Sequence, residues 1–138
     1  MKVAILTYAF PPSNYPVAPR MEMLYKELKL RNYQVRVITT NDYRHNYDLK
    51  NSDFNDKNIK KINLGKSFFG YKVFGFAKYF IMSIYNIVIF KPNLVICSSG
   101  RLGSLIIAYL IFKIFRINYT VDYRDIFSSN FSNFYIKN

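Results

Sequence analysis

A chain of 138 residues that is 51% hydrophobic and 19% aromatic is one domain at most, long enough to bury a real core and too apolar to be disordered throughout. Twenty Lys and Arg against eight Asp and Glu give a formal charge of +12, which favours anionic partners: nucleic acid, an anionic membrane surface or phosphorylated substrates. A single cysteine, Cys97, excludes an intrachain disulfide and a cysteine-based metal cluster.

In chain order, residues 3–7 are an apolar run of strand formers, followed by a loop over 8–18 in which Pro11, Pro12 and Pro16 forbid helix. Pro19 suits the first turn of a helix, whose apolar stripe is Met21, Leu24, Tyr25 and Leu28. Asn32 stands where a left-handed stop is wanted, after Lys29 and Arg31, and Val35, Val37 and Ile38 make the next strand. Residues 41–58 are polar and without period, a surface loop. Residues 59–64 alternate loosely and predict a short edge strand. A helix is predicted over 71–90, a buried strand over 94–97, a second apolar helix over 102–115 and a fifth strand over 119–122. Strands alternating with helices predict a Rossmann-like α/β fold: a parallel sheet with helices on both faces and, from right-handed crossovers, the strand order 3-2-1-4-5.

Neither apolar helix supplies the roughly 20 consecutive apolar residues of a membrane span, because Lys72 and Lys78 interrupt one and Lys113 and Arg116 close the other. They are either sheet-covering helices, part of whose surface later segments bury, or, with their basic residues beside aromatics, an interfacial surface for an anionic bilayer. The N-terminus has no charged region followed by a long apolar stretch, so a cytoplasmic location is expected, with peripheral association at the inner face of the cell membrane.

The residues that can carry chemistry cluster after strands. The loop from Phe10 to Arg20 meets the first helix where free amides and Arg20 can hold a phosphate or a sugar hydroxyl; the alternative is a rigid connector without ligand. No G-x-G-x-x-G is present, so the dinucleotide fingerprint is missing. Ser98, Ser99 and Gly100 join a strand end to a helix start, as either a cap or a small-residue floor to a cleft. Arg124 can clamp a phosphate or carboxylate, or Arg124 and Asp125 can simply pair with each other. His45 is alone in the polar loop, Cys97 reads as a buried small hydrophobe, and no metal site is supported. Scattered lysines without an RRM, KH or helix-turn-helix signature give no support for nucleic-acid binding.

Three landmarks carry a resemblance. Phe10-Pro11-Pro12 with Arg20 and Arg31-Asn32-Tyr33-Gln34-Val35, then Lys91-Pro92-Asn93-Leu94-Val95-Ile96-Cys97-Ser98-Ser99, then Asp122-Tyr123-Arg124-Asp125-Ile126-Phe127 occur in order over nearly the whole chain. Together they resemble the N-terminal domain of the retaining glycosyltransferases of family 4, two Rossmann-like domains facing across a cleft (the GT-B fold). The glycines that many members carry in the first loop read here Ser13-Asn14-Tyr15-Pro16-Val17-Ala18, which is closer to a Ser-Pro-Ala-type variant. Arg124 falls where some relatives have a His.

The resemblance implies a domain, residues 1–138, that contributes the acceptor side of a sugar transfer from a nucleotide-sugar to a glycan or lipid-linked acceptor, in surface polysaccharide biosynthesis. It implies Arg124 and Asp125 as catalytic, and Pro12, Ser13, Asn14, Arg20, Ser98, Ser99 and Gly100 as substrate-binding. No cofactor is implied beyond the nucleotide-sugar donor. The donor-binding domain of such enzymes has no counterpart in these residues, so the expectation is an incomplete, truncated GT-B enzyme that is inactive alone. Two alternatives stand beside it: the membrane-associating, acceptor-side subunit of a split transferase, and a non-enzymatic basic module that binds nucleotides or anionic membranes.

Overall fold

The computed structural model describes residues 1–13, 15–41, 56–64, 74–98 and 102–122. Strands β1 (Lys2–Leu6), β2 (Gln34–Asn41), β3 (Ile59–Asn63), β4 (Leu94–Ser98) and β5 (Asn118–Asp122) form one sheet in the order β3-β2-β1-β4-β5. Every pairing is parallel, with Ile5 opposite Val37 on one side and Ile96 on the other. This is the Rossmann-like architecture and strand order that the alternation of apolar runs predicts, and residues 59–63 do form an edge strand.

Helices α1 (Val17–Leu30), α2 (Gly75–Phe90) and α3 (Leu102–Phe115) divide between the two faces. The α1 core joins Ala18, Met21 and Tyr25 to Ile5, Val35, Val37 and Ile59, with Leu24 and Leu28 packed at its margin. The other core joins Tyr79 and Ile87 of α2 and Ile107, Ala108 and Ile111 of α3 to Ala4, Leu6, Ile38, Val95 and Cys97. Right-handed crossovers explain the split: the chain moves one way from β1 to β2 and β3, then returns past β1 to β4 and β5 on the opposite face.

Helix ends follow from local chemistry. After α1, Asn32 takes φ 61°, its N–H donating to Lys29 O and that of Tyr33 to Leu28 O, a paired closure that satisfies the last carbonyls. Lys91 after α2 and Arg116 after α3 also enter the left-handed region, at φ 50° and 57°. Each donates its N–H back one turn, to Ile87 O and Phe112 O. Under the α2 end the Arg36 guanidinium lies 4.5 Å from the Phe90 ring centroid, closing the core with a cation on an aromatic face.

One polar knot fixes α1 to the start of β3. Tyr25 Oη donates to Asp56 Oδ2, Lys29 Nζ reaches the same oxygen at 3.1 Å, and Asp56 Oδ1 accepts from the N–H and side-chain amide of Asn58 at 2.9 and 2.8 Å. Tyr25 foremost, then Asn58 and Lys29, hold the Asp56 carboxyl well below the usual carboxylate range against the opposing effect of burial. Burial chiefly, and the Asp56 carboxylate, push the Tyr25 phenol up, so it remains a donor. A carboxyl with a lowered folded pKa adds stability that is complete above about pH 4 and disappears as pH falls through its folded value. Asp56→Asn should therefore lose about 1–2 kcal/mol at pH 7 in urea unfolding and lose progressively less than the parent as the pH is taken below about 4. An equal deficit at every pH would show that the knot does not form.

Candidate functional site

At the carboxyl edge of the sheet the strand order reverses between β1 and β4, so the loop leaving β1 and the ends of β4 and β5 diverge around a crevice. The loop is held by its own atoms. Phe10 is buried and meets the Tyr25 ring edge-on, centroids 5.9 Å apart, so the aromatic of the Phe-Pro-Pro sequence is an anchor into the α1 core. The Pro11–Pro12 peptide is cis. Ser13 donates its N–H to Phe10 O, and its own hydroxyl oxygen accepts from Tyr15 N–H at 3.3 Å. Thr7 and Thr40 hydroxyls donate to Ala9 O and Tyr8 O, tying the base of the loop to β1 and β2.

The start of α1 offers fewer donors than the sequence reading expects. Pro16 and Pro19 have no amide hydrogen, and Ala18 N–H is taken by Tyr15 O at 2.8 Å. Positive charge here comes mainly from a side chain, Arg20, which is half exposed and paired with Asp122 at the end of β5. This pair joins residues 102 positions apart and bridges α1 to the far strand. Beneath it lies an open cleft of about 330 Å³ lined by Arg20, Met21, Leu24, Ile96, Thr120 and Asp122. The second carboxylate oxygen of Asp122 is buried without a hydrogen-bond partner among the described residues. The cleft thus has an apolar floor, a guanidinium on one wall and a carboxylate oxygen on the other, a donor–acceptor pair suited to an anionic or hydroxyl-rich ligand.

Of the residues that the sequence singles out, Pro12, Ser13 and Arg20 lie together on the loop and the start of α1, and Ser98 ends β4. Ser98 is buried at 2% exposure, a wall residue and not a surface donor. Asn14, Ser99, Gly100, Arg124 and Asp125 lie outside the described residues, as does His45. Asp122, which sequence reasoning used only as part of a motif, is the carboxylate that meets Arg20. No local signal could have joined them, because the pair exists only through the order of β1, β4 and β5.

Cys97 is fully buried on the α2–α3 face. Burial pushes its thiol up to about 12, which keeps it protonated and unreactive. Behind the crevice the Tyr79 hydroxyl is buried between Thr7 O and Ser104 Oγ, each 3.4 Å away. Among the described residues no group of three or more His, Cys, Asp or Glu side chains lies together as metal ligands would.

Among solved structures the chain is similar to the UDP-GlcNAc 2-epimerase of Methanocaldococcus jannaschii, with a TM-score of 0.56 at 16% identity. The match covers 88% of this chain and 31% of the epimerase, so this chain spans under a third of that enzyme's length. The likeness establishes a GT-B-like Rossmann fold. No protein-family model matches the sequence, and no curated protein is similar to it.

Two measurements test this geometry. A double-mutant cycle with Arg20→Gln and Asp122→Asn should give a coupling of about 1 kcal/mol in urea unfolding. A coupling of zero would mean that the pair is not made in solution. At pH 8, N-ethylmaleimide should label Cys97 at least about a hundredfold more slowly in the folded chain than in guanidinium, because the folded thiol is buried and protonated. Equal rates would place Cys97 at an accessible position.

Proposed function

We propose that this chain is the acceptor-side, N-terminal Rossmann domain of a retaining glycosyltransferase of the family 4 kind, a domain that works with a separate or further donor-binding domain. The observation that carries the reading is the Arg20–Asp122 cleft at the carboxyl edge, beside the loop with the Phe10-Pro11-Pro12 landmark. Of the other landmarks, the one opened by Lys91-Pro92-Asn93 starts at the opposite, amino edge and runs through β4 to Ser98, and the one opened by Asp122 starts at the end of β5, beside Arg20. The likeness to an enzyme that acts on UDP-GlcNAc supports a nucleotide-sugar substrate.

In this reading Arg20 orients an anionic or hydroxyl-bearing group at the cleft, and Asp122 holds the guanidinium in place while its second oxygen accepts a hydrogen bond from the ligand. Ser13 and Pro12 shape the loop wall, and Ser98 keeps the β4 end small. Asn14, Ser99 and Gly100 complete the substrate side, with Arg124 and Asp125 as the catalytic pair next to the transferred sugar. The whole enzyme transfers a sugar from a nucleotide-sugar to a glycan or lipid-linked acceptor of a surface polysaccharide. Catalysis needs both walls of the cleft, so this chain alone has no turnover.

The epimerase likeness favours a second reading, a sugar epimerase domain, which differs in its product. Transfer releases a free nucleoside diphosphate and lengthens an acceptor, whereas epimerisation does neither. Extracts of source cells carrying or lacking the gene should therefore be compared for transfer of labelled sugar from nucleotide-sugars to the lipid fraction. Loss of one transfer on deletion, restored by the parent gene and reduced at least about tenfold by Arg20→Ala, is the expected result. Unchanged transfer with a lost epimerisation product would establish the second reading instead.

A further inference from the structure

Helix α2 is turned out of the usual pattern. Its buried line is Tyr79, Ser83 and Ile87, spaced four apart. Two residues on, about 200° round the helix, the outward line is Ile81, Tyr85 and Ile89, exposed at 63%, 59% and 55%. The solvent side of this helix is thus more apolar than the side that touches the sheet, the reverse of a surface helix. Beside it α3 buries Ser104, Ile107, Ala108 and Ile111 and leaves Ile106, Tyr109 and Phe112 exposed. The two helices pack against each other over the same sheet face, so these exposed apolar residues belong to one layer.

Charge indicates what covers it. All eight acidic residues of the chain lie at or before Asp56 or at or after Asp122, so the segment that builds this layer has cations and no anion. Lys78 near the start of α2, Lys91 at its end, and Lys113 and Arg116 at the end of α3 are all exposed at the margins of the apolar surface. A second copy of the chain seated on this face would bring these cations towards each other, and the segment itself supplies no carboxylate to offset them. An anionic bilayer offers both complements: hydrocarbon at the headgroup boundary for Ile81, Tyr85, Ile89 and Ile106, and lipid phosphates for the lysines and Arg116. Among the described residues no helix is long and apolar enough to cross a membrane, so the contact is confined to the interface.

We infer that the joint outer face of α2 and α3 is an interfacial docking surface for an anionic lipid bilayer. The face lies on the side of the sheet opposite α1 and the Arg20 cleft, so docking leaves the cleft open. The inference rests on the composition and exposure of these two helices and not on the enzymatic reading.

The test is flotation of the full chain with vesicles of phosphatidylcholine alone and of phosphatidylcholine with phosphatidylglycerol. The expected result is flotation with the mixed vesicles only, weakened by high salt, which screens the headgroup field. Neutralising Lys78, Lys113 and Arg116 to Gln should lower the partition about fivefold for each charge removed. Ile81→Glu with Ile89→Glu should abolish flotation. The chain has no tryptophan, so Tyr85→Trp supplies a single reporter whose emission should shift to the blue and be quenched by brominated lipid on mixed vesicles. Circular dichroism confirms that each variant is folded, and the Tyr85→Trp reporter in the otherwise unchanged chain tests the same face should a Glu variant fail to fold. No flotation, equal flotation with neutral vesicles, full flotation of folded Ile81→Glu/Ile89→Glu or an unshifted emission from the Tyr85→Trp reporter on mixed vesicles would each overturn the proposal. A dimer that those two Glu substitutions dissolve, without vesicle binding, would instead identify the covering surface as a second copy.

Discussion

Strand β1 has Val3, Ala4, Ile5 and Leu6 without solvent exposure, and it supplies one residue set to each core: Ile5 to the α1 side, Ala4 and Leu6 to the α2–α3 side. A strand buried on both faces must be apolar throughout, and its register with β2 and β4 then fixes both neighbours at once. The reversal of strand order about β1 is also what opens the crevice, since the connections on its two sides lie on opposite faces of the sheet. The position of the candidate site is therefore a consequence of the core. Polarity at β1 would disturb the two hydrophobic layers and the cleft together.

The elements further from β1 are tied by charge where burial alone gives out. Near β3 the tie is Tyr25–Asp56–Lys29; near β5 it is Arg20–Asp122. Both run from α1, which has its buried stripe on β1 and β2 and so reaches the two flanks only with longer side chains. Such contacts are worth about 1 kcal/mol each, against about 1.5–3 kcal/mol for one fully buried Ile or Phe. They contribute little to whether the domain folds. Their effect is on where β3 and β5 sit relative to α1, and at β5 that position sets the width of the cleft.

Periodicity and punctuation carried most of the fold. The stripe Met21–Leu24–Tyr25–Leu28 faces the sheet as its spacing requires, and Asn32 takes the left-handed turn for which its side chain is suited. Lys91 and Arg116 take the same conformation without that suitability, and no residue type announces it; from each the chain makes only a short step into the next strand. The site was legible in part. Phe10-Pro11-Pro12 and Arg20 pointed to the right loop, yet the function of Phe10 as an anchor and the partner of Arg20 depend on packing between distant segments. Asp56 gave no signal at all, because its polar surroundings in sequence look like those of a loop, while its neighbours in space are Tyr25 and Lys29.

Helices α2 and α3 show where pattern reading meets its limit. In a helix apolar on most sides, the period cannot say which line faces the sheet, and both readings of the apolar residues, as sheet cover and as bilayer surface, were open. The structure divides the residues between them: Ile87, Ile107 and Ile111 cover the sheet, and Ile81, Ile89 and Ile106 do not. The presence of Tyr79 on the inner line follows from the crevice, since its hydroxyl reaches Thr7 O at the base of the β1 loop and meets Ser104 Oγ there. An inner line partly given over to supporting the loop has less apolar surface to offer the sheet. No such demand explains the apolar outer line, and a helix held only by its contacts with the sheet would gain solubility from Lys or Glu at positions 81, 85 and 89. Their apolar identity, in a segment without a single carboxylate, is therefore not set by contact with the sheet.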